Sequence, residues 1–207
     1  MRPLPRVHAI TDARVLALED LGVRAAAIAS SGPSVALHVR DHAAGGARLA
    51  GIGRRFLSLA RPPEAAVIVN GHPDIARALG AQGVQLTPGD LTPADARTVF
   101  PAGWVGCSVH SAQQAEIAAG EGADFLIVGT VFPSRTHPES GAGGLDLVTR
   151  CATFGLPVIA IGGVSPSNAA SVRDAGAYGA AAISALWHAD DPAGATVEML
   201  RPWGAAS

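Results

Sequence analysis

Three short segments carry the side chains best suited to hold or transform a ligand. In Gly106-Cys107-Ser108-Val109-His110, a serine and a histidine stand two residues apart. On an extended strand that spacing puts both on one side. His110 then sits at a strand end, on the rim of any pocket, with Ser108 one layer below. Imidazole gives and takes a proton near neutrality. In 35–40 the same alternation turns His38 and Arg40 to one side, and Val35, Leu37 and Val39 to the other. An inward arginine is costly to bury without an anion, so Arg40 reads as a ligand anchor. The third segment, IAIGGVSPSN at 159–168, is an anion signal. Gly162 and Gly163 follow an apolar run and leave backbone N–H groups open to a ligand, and Ser165 is expected to begin a helix. With Ile183-Ser184-Ala185 on the next run, they predict a phosphate cup, which requires no lysine.

Other polar residues have plainer readings. Cys107 falls on the outward side of its strand and reads as packing rather than as a nucleophile. His38 either faces a ligand or fills space inside. His38, His42 and Asp90 lack the spacing of a metal site. His72, before Pro73, reads as a helix entry, His188 as surface, and Arg54-Arg55 as a solvated helix face. Leu200 and Trp203 are expected to cover an end of the fold or a subunit contact.

Eight apolar runs must position these groups, at 7–11, 35–40, 66–70, 83–87, 104–110, 125–131, 157–162 and 179–186. Each precedes a stretch able to hold two to four helical turns: 15–29, 43–59, 73–80, 93–100, 112–120, 145–154, 166–175 and 192–200. Pro73, Pro93 and Pro166 stand where a first helical turn accepts proline. Gly80-Ala81, Gly122-Ala123 and Gly176-Ala177 each precede a run, as left-handed glycine terminators do. The runs turn polar at their carboxyl ends: Thr11-Asp12, Arg40, Asn70, Thr87, Ser108 with His110, Thr130, Gly162-Gly163 and Ser184. In a parallel barrel those ends meet at one face, where the active site is built. Thr11-Asp12 alone also fits a helix cap. The pattern predicts an α/β fold, a single (β/α)₈ TIM barrel with parallel strands spanning 1–207. An open doubly wound sheet is the alternative, weakened by the lack of a G-x-G-x-x-G after the first run.

Composition narrows the chemistry. The 207 residues are 48% hydrophobic and 15% charged, enough for a sizeable core. Fifteen arginines and no lysine exclude Schiff-base chemistry and a Walker lysine. A net charge of −2 offers no basic surface to nucleic acid or to an anionic membrane. Two cysteines, Cys107 and Cys151, form no disulfide framework. With no leader-like start and no apolar run of membrane length, a cytoplasmic protein is expected. Alanine, at 42 positions, blurs the helical periodicity.

The segments VHAITD, HVRDH, VNGHPDIA, GVQLTPGD, GCSVHS, GADFLIVGTVFPS, PVIAIGGVSPSN and AAISAL, in this order, resemble the thiazole tautomerase family of the thiamine phosphate synthase superfamily of TIM barrels. Two activities are implied. The synthase joins a pyrimidine diphosphate to a thiazole phosphate, releases diphosphate, and needs Mg²⁺ and cations around the leaving group. Its second-strand pattern Q-x-R-x-K is replaced here by His38, Arg40 and His42. Its Asn-Asp pair is replaced by Asn70-Gly71, and its T-x-T-K loop by Ser134-Arg135-Thr136-His137, whereas Asp90, at a metal-ligand position, is retained.

Missing lysines and a missing carboxylate favour the tautomerase, which aromatises a carboxylated thiazole phosphate by proton transfer. By resemblance, the catalytic residue is His110, in the S-V-H-S motif at 108–111. Arg40 would pair with the substrate carboxylate. Gly162, Gly163, Ile183 and Ser184 would hold the phosphate, and Asn70, Ser108 and Thr130 would contact the rest of the substrate. This reading needs no metal and no cofactor. The alternatives are the synthase, with Mg²⁺ and Asp90, and a phosphate-metabolite-binding relative without turnover. A homo-oligomer is expected from the resemblance.

Overall fold

The computed structural model describes residues 3–61, 64–133 and 143–204. Its strands are β1 (Val7–Ile10), β2 (Val35–Val39), β3 (Ala66–Asn70), β4 (Gly83–Leu86), β5 (Trp104–Val109), β6 (Phe125–Val128), β7 (Val158–Ala160) and β8 (Gly179–Ala182). Neighbours in sequence are neighbours in space, every pair is parallel, and β8 closes onto β1. The expected α/β TIM barrel is the observed fold.

Strand alternation divides the core in two. Ile10, Ala36, Ile68, Trp104, Phe125, Ile127 and Ile159 fill the inside of the barrel. Val35, Leu37, Val39, Val105, Cys107 and Val109 belong to the larger cluster under the helices. Inside, Gly106 is required by its neighbours. A Cβ there would lie 2.2 Å from the Phe125 ring and 2.3 Å from Gln85 Oε1.

The outer layer comprises α1 (Ala13–Leu16), α2 (Leu21–Ala29), α3 (Gly46–Ala60), α4 (Pro73–Leu79), α5 (Pro93–Val99), α6 (Ala112–Gly120), α7 (Gly144–Ala152), α8 (Ala169–Asp174), α9 (Ser184–Trp187) and α10 (Pro192–Leu200). The repeated Gly-Ala pair ends α4, α6 and α8 in one geometry. Gly80, Gly122 and Gly176 have φ of 66°, 85° and 97°. The alanine N–H that follows bonds the carbonyl five residues back, Ala81 to Ala76, Ala123 to Ala118 and Ala177 to Val172, at 2.9–3.0 Å. This is the Schellman closure. The next N–H, of Gln82, Asp124 or Tyr178, then bonds the carbonyl of Val67, Val105 or Val158 on the preceding strand. Each helix stop thereby sets the register of the strand after it.

Several expected boundaries move. The helix over 15–29 is two helices: Asp12 Oδ1 caps α1 through Val15 N–H at 2.9 Å, and i→i+3 bonds from Ala17 and Leu18 tighten and end it. The strand over 125–131 stops at Val128 and the one over 157–162 at Ala160. Ser184 opens α9 rather than lying in β8, which ends at Ala182. The helix expected at Ser165-Pro166 begins only at Ala169. There Asn168 accepts from Ser165 N–H at 2.8 Å and donates to the Gly163 carbonyl at 2.9 Å, holding 163–168 as a turn.

Candidate active site

The carboxyl ends of the strands surround a cavity of about 830 Å³. Arg40, Asn70, Ser108, His110, Thr130, Gly162, Gly163, Ile183 and Ser184 all line it, together with His42, Gln85, Thr87 and Ser165. One wall, from β6 to α9, brings three glycines, Gly129, Gly162 and Gly163, to the cavity among apolar and hydroxyl side chains. Gly162 and Gly163 have φ of 95° and 63°. A Cβ on Gly162 would stand 2.5 Å from Thr130 Cγ2, and one on Gly163 would stand 2.8 Å from the Pro133 carbonyl oxygen. Both positions therefore require glycine, for conformation and for space. α8 has six residues and α9 four. Neither is long enough to bring a strong helix dipole to this wall.

The opposite wall is built from side chains of β2 to β5. The Thr11 hydroxyl accepts from Arg40 N–H at 2.9 Å and so fixes the end of β2. The Arg40 guanidinium reaches the Thr11 carbonyl at 3.5 Å and donates to His42 Nε2 at 2.5 Å. Burial lowers Arg40 from its ordinary value, and Asp12 and Asp41 counter that. It remains the charged group of this wall. Gln85, fully buried, donates to Ser108 Oγ at 3.0 Å and to the Leu86 carbonyl at 3.2 Å. Ser108 accepts there, which leaves its hydrogen for an acceptor in the cavity. Gln85 Oε1 is buried beside Gly106 without a hydrogen-bond partner among the described residues.

His110, exposed on the rim, donates from Nδ1 to the Gly129 carbonyl at 2.5 Å, and its N–H bonds Gln114 Oε1. This orientation leaves Nε2 for a ligand. His38 lies deeper, fully buried between His8 and Asn70. Asp90 is exposed outside the cavity lining, where its Oδ2 accepts from Thr87 N–H and Oγ1 at 2.7 and 2.8 Å. Gly71, with φ of 74°, would place a Cβ 3.5 Å from Asp90 Oδ1. The position that lacks a carboxylate therefore directly faces the one that keeps it. Among the described residues, no three His, Cys, Asp or Glu side chains converge as metal ligands. Ser134-Arg135-Thr136-His137 lies outside the described residues.

Cys107 is buried, and desolvation pushes its thiol up to about 12, as suits packing rather than nucleophilic attack. His72 stands at the N-cap position of α4 without a side-chain capping bond, His188 and Arg54-Arg55 are exposed, and Trp203 donates to the Ala177 carbonyl at 3.1 Å. No helix among the described residues is long and apolar enough to cross a membrane. Gln85 and His8 are absent from the sequence-based site. Strand alternation could have found both, since each shares the inward parity of its strand.

Residues 7–186 match the thiamine monophosphate synthase family. The chain is 38% identical to the thiamine-phosphate synthase of Roseiflexus castenholzii over 194 residues, covering 92% of this chain and 84% of that one. It is 37% identical to the thiamine-phosphate synthase of Salinispora tropica over 206 residues, covering 97% and 98%. The solved thiamine phosphate pyrophosphorylase of Pyrococcus furiosus superposes with a TM-score of 0.81 at 30% identity, covering 98% and 97%. These relatives overturn the expected tautomerase. The chain belongs to the thiamine monophosphate synthase family.

Proposed function

We propose that this protein is a thiamine-phosphate synthase, joining a hydroxymethylpyrimidine diphosphate to a thiazole phosphate with release of diphosphate. The observation that carries the reading is identity of 37–38% to synthases over nearly the whole chain. In the reaction the thiazole nitrogen forms a bond to the pyrimidine methylene carbon. The carbon–oxygen bond breaks, and its electron pair leaves with diphosphate. No protein group has to accept a proton in that step. What the site must supply is alignment of two substrates and neutralisation of the leaving anion.

The two walls divide this work. The Gly162–Gly163 loop and Ser184 hold the thiazole phosphate through N–H and hydroxyl groups. Arg40, steadied by Thr11 and His42, faces the diphosphate. Ser108, Gln85 and Asn70 orient the heterocycles, Thr130 and Ile183 bound the space between them, and His110 offers Nε2 at the rim.

Mg²⁺ is often held by one or two carboxylates together with substrate phosphates. The residues fit the smaller form of that arrangement. Asp90 Oδ1 accepts no hydrogen bond from the described residues, and Gly71 puts no side chain against it. When bound there with diphosphate, the ion supplies charge neutralisation. Incubation of both precursors with Mg²⁺ and the protein, read by mass spectrometry, should yield thiamine phosphate. Binding of thiazole phosphate with no product would replace this reading with that of a phosphate-binding relative.

A further inference from the structure

Below the cavity a line of polar groups runs through the barrel interior. The Pro5 carbonyl oxygen lies 3.1 Å from His8 Nε2. His8 Nδ1 lies 2.8 Å from His38 Nε2, and His38 Nδ1 lies 3.0 Å from Asn70 Oδ1. Both rings are fully buried, and Asn70 lines the cavity.

Counting hydrogens decides how this line is arranged. Three contacts need three hydrogens, one in each. The Pro5 carbonyl brings none, and two neutral imidazoles bring two. If the Asn70 amide met His38 with its oxygen, one contact would set two lone pairs face to face. The third hydrogen has two sources. Either the histidine pair carries an extra proton, or the amide turns so that its NH₂ donates to His38 Nδ1. A proton would place a charge inside the barrel, where the Arg40 guanidinium, just past the end of β2, repels it. Among the described residues no carboxylate bonds either ring. Burial takes His8 down to about 4 and holds His38 well below the ordinary histidine range. Turning the amide exchanges two groups of nearly equal size and leaves every contact with its hydrogen.

We propose that His8 and His38 are positioning residues that lock the Asn70 amide with its nitrogen on His38 and its carbonyl oxygen toward the cavity. In the coupling site this makes the β3 wall an acceptor. It takes a substrate group bearing an N–H or O–H and rejects a bare acceptor at the same place. The selectivity rests on the synthase reading for its substrate, whereas the amide orientation does not.

Long-range ¹H–¹⁵N spectra of histidine-labelled protein at pH 7 test the orientation without turnover. Both His8 and His38 should be neutral with the hydrogen on Nε2. A hydrogen on His38 Nδ1, in either the neutral or the charged ring, overturns the proposal. His8→Phe removes the acceptor of His38 Nε2–H, so His38 should move toward the Nδ1–H form. KM for the heterocycle that meets Asn70 should rise about tenfold, with kcat within about twofold. An unchanged His38 signal and unchanged KM in the folded variant also overturn it. If His8→Phe does not fold, the wild-type spectrum decides alone. An inactive protein with both rings as Nε2–H sinks the synthase reading and leaves the Asn70 assignment standing.

Discussion

The two walls of the cavity are made of different material. The β6–α9 wall presents backbone through glycines that no other residue can replace, whereas the β2–β5 wall presents side chains, each held by a second side chain or carbonyl. The backbone wall needs only sharp turns and room, which Gly162 and Gly163 provide. The side-chain wall carries charge and donor–acceptor pattern. It is also where His38, His42 and Gly71 depart from the synthase pattern. The proposed function therefore assigns the holding of a phosphate and the choice of a partner for it to separate walls.

The sharpest way to break that separation is Gly162→Val. Its Cβ would enter the space of Thr130, and its φ would be strained, so coupling should fall by more than about a hundredfold. Titration calorimetry should show thiazole phosphate binding lost with it. Retained binding would show that the loop amides do not hold the phosphate. Arg40→Ala, on the other wall, should lower kcat/KM about a hundredfold through the diphosphate substrate while leaving thiazole phosphate affinity within about twofold. Equal loss of both affinities would merge the two walls into one.

Acid should reveal the buried histidines. His8 titrates near 4 in the folded chain and near 6.5 when unfolded. Between those values the unfolded chain binds the proton more readily. The stability contributed by keeping His8 neutral is present above about pH 6.5 and is lost as pH falls toward 4, on the order of 3 kcal/mol. Urea midpoints at pH 7 and 4.5 should differ more in the wild type than in a folded His8→Phe variant. Gly71→Asp should act more gently. It returns a carboxylate beside Asp90 at a positive φ that Asp tolerates, and the Mg²⁺ concentration for half-maximal rate should fall several-fold. His110→Gln should have the smallest effect, below about tenfold in kcat, because coupling asks no proton transfer of it.

Much of this molecule can be read from its sequence. Polar residues closing eight apolar runs announced a barrel face, and alternation placed Ser108 and Arg40 inward. The Gly-Ala repeat announced helix stops that the φ values of Gly80, Gly122 and Gly176 bear out. What could not be read depends on strands meeting across the barrel. His8 and His38 are 30 residues apart and touch only because Ile10 pairs with His38 on the adjacent strand. Gln85 meets Ser108 across a register that no local pattern encodes. Ser184 was misplaced because the eighth run stays apolar as it turns from β8 into α9. The activity is not legible in the missing charges, because coupling chemistry can also rest on one arginine, one carboxylate and backbone N–H groups.

The most direct measurement is ³¹P NMR of one mixture containing the protein, Mg²⁺, hydroxymethylpyrimidine diphosphate and thiazole phosphate. The synthase account predicts that thiamine phosphate and free diphosphate grow together in equal amounts, and that omission of either precursor abolishes both. Precursors that persist unchanged beside folded protein would contradict it.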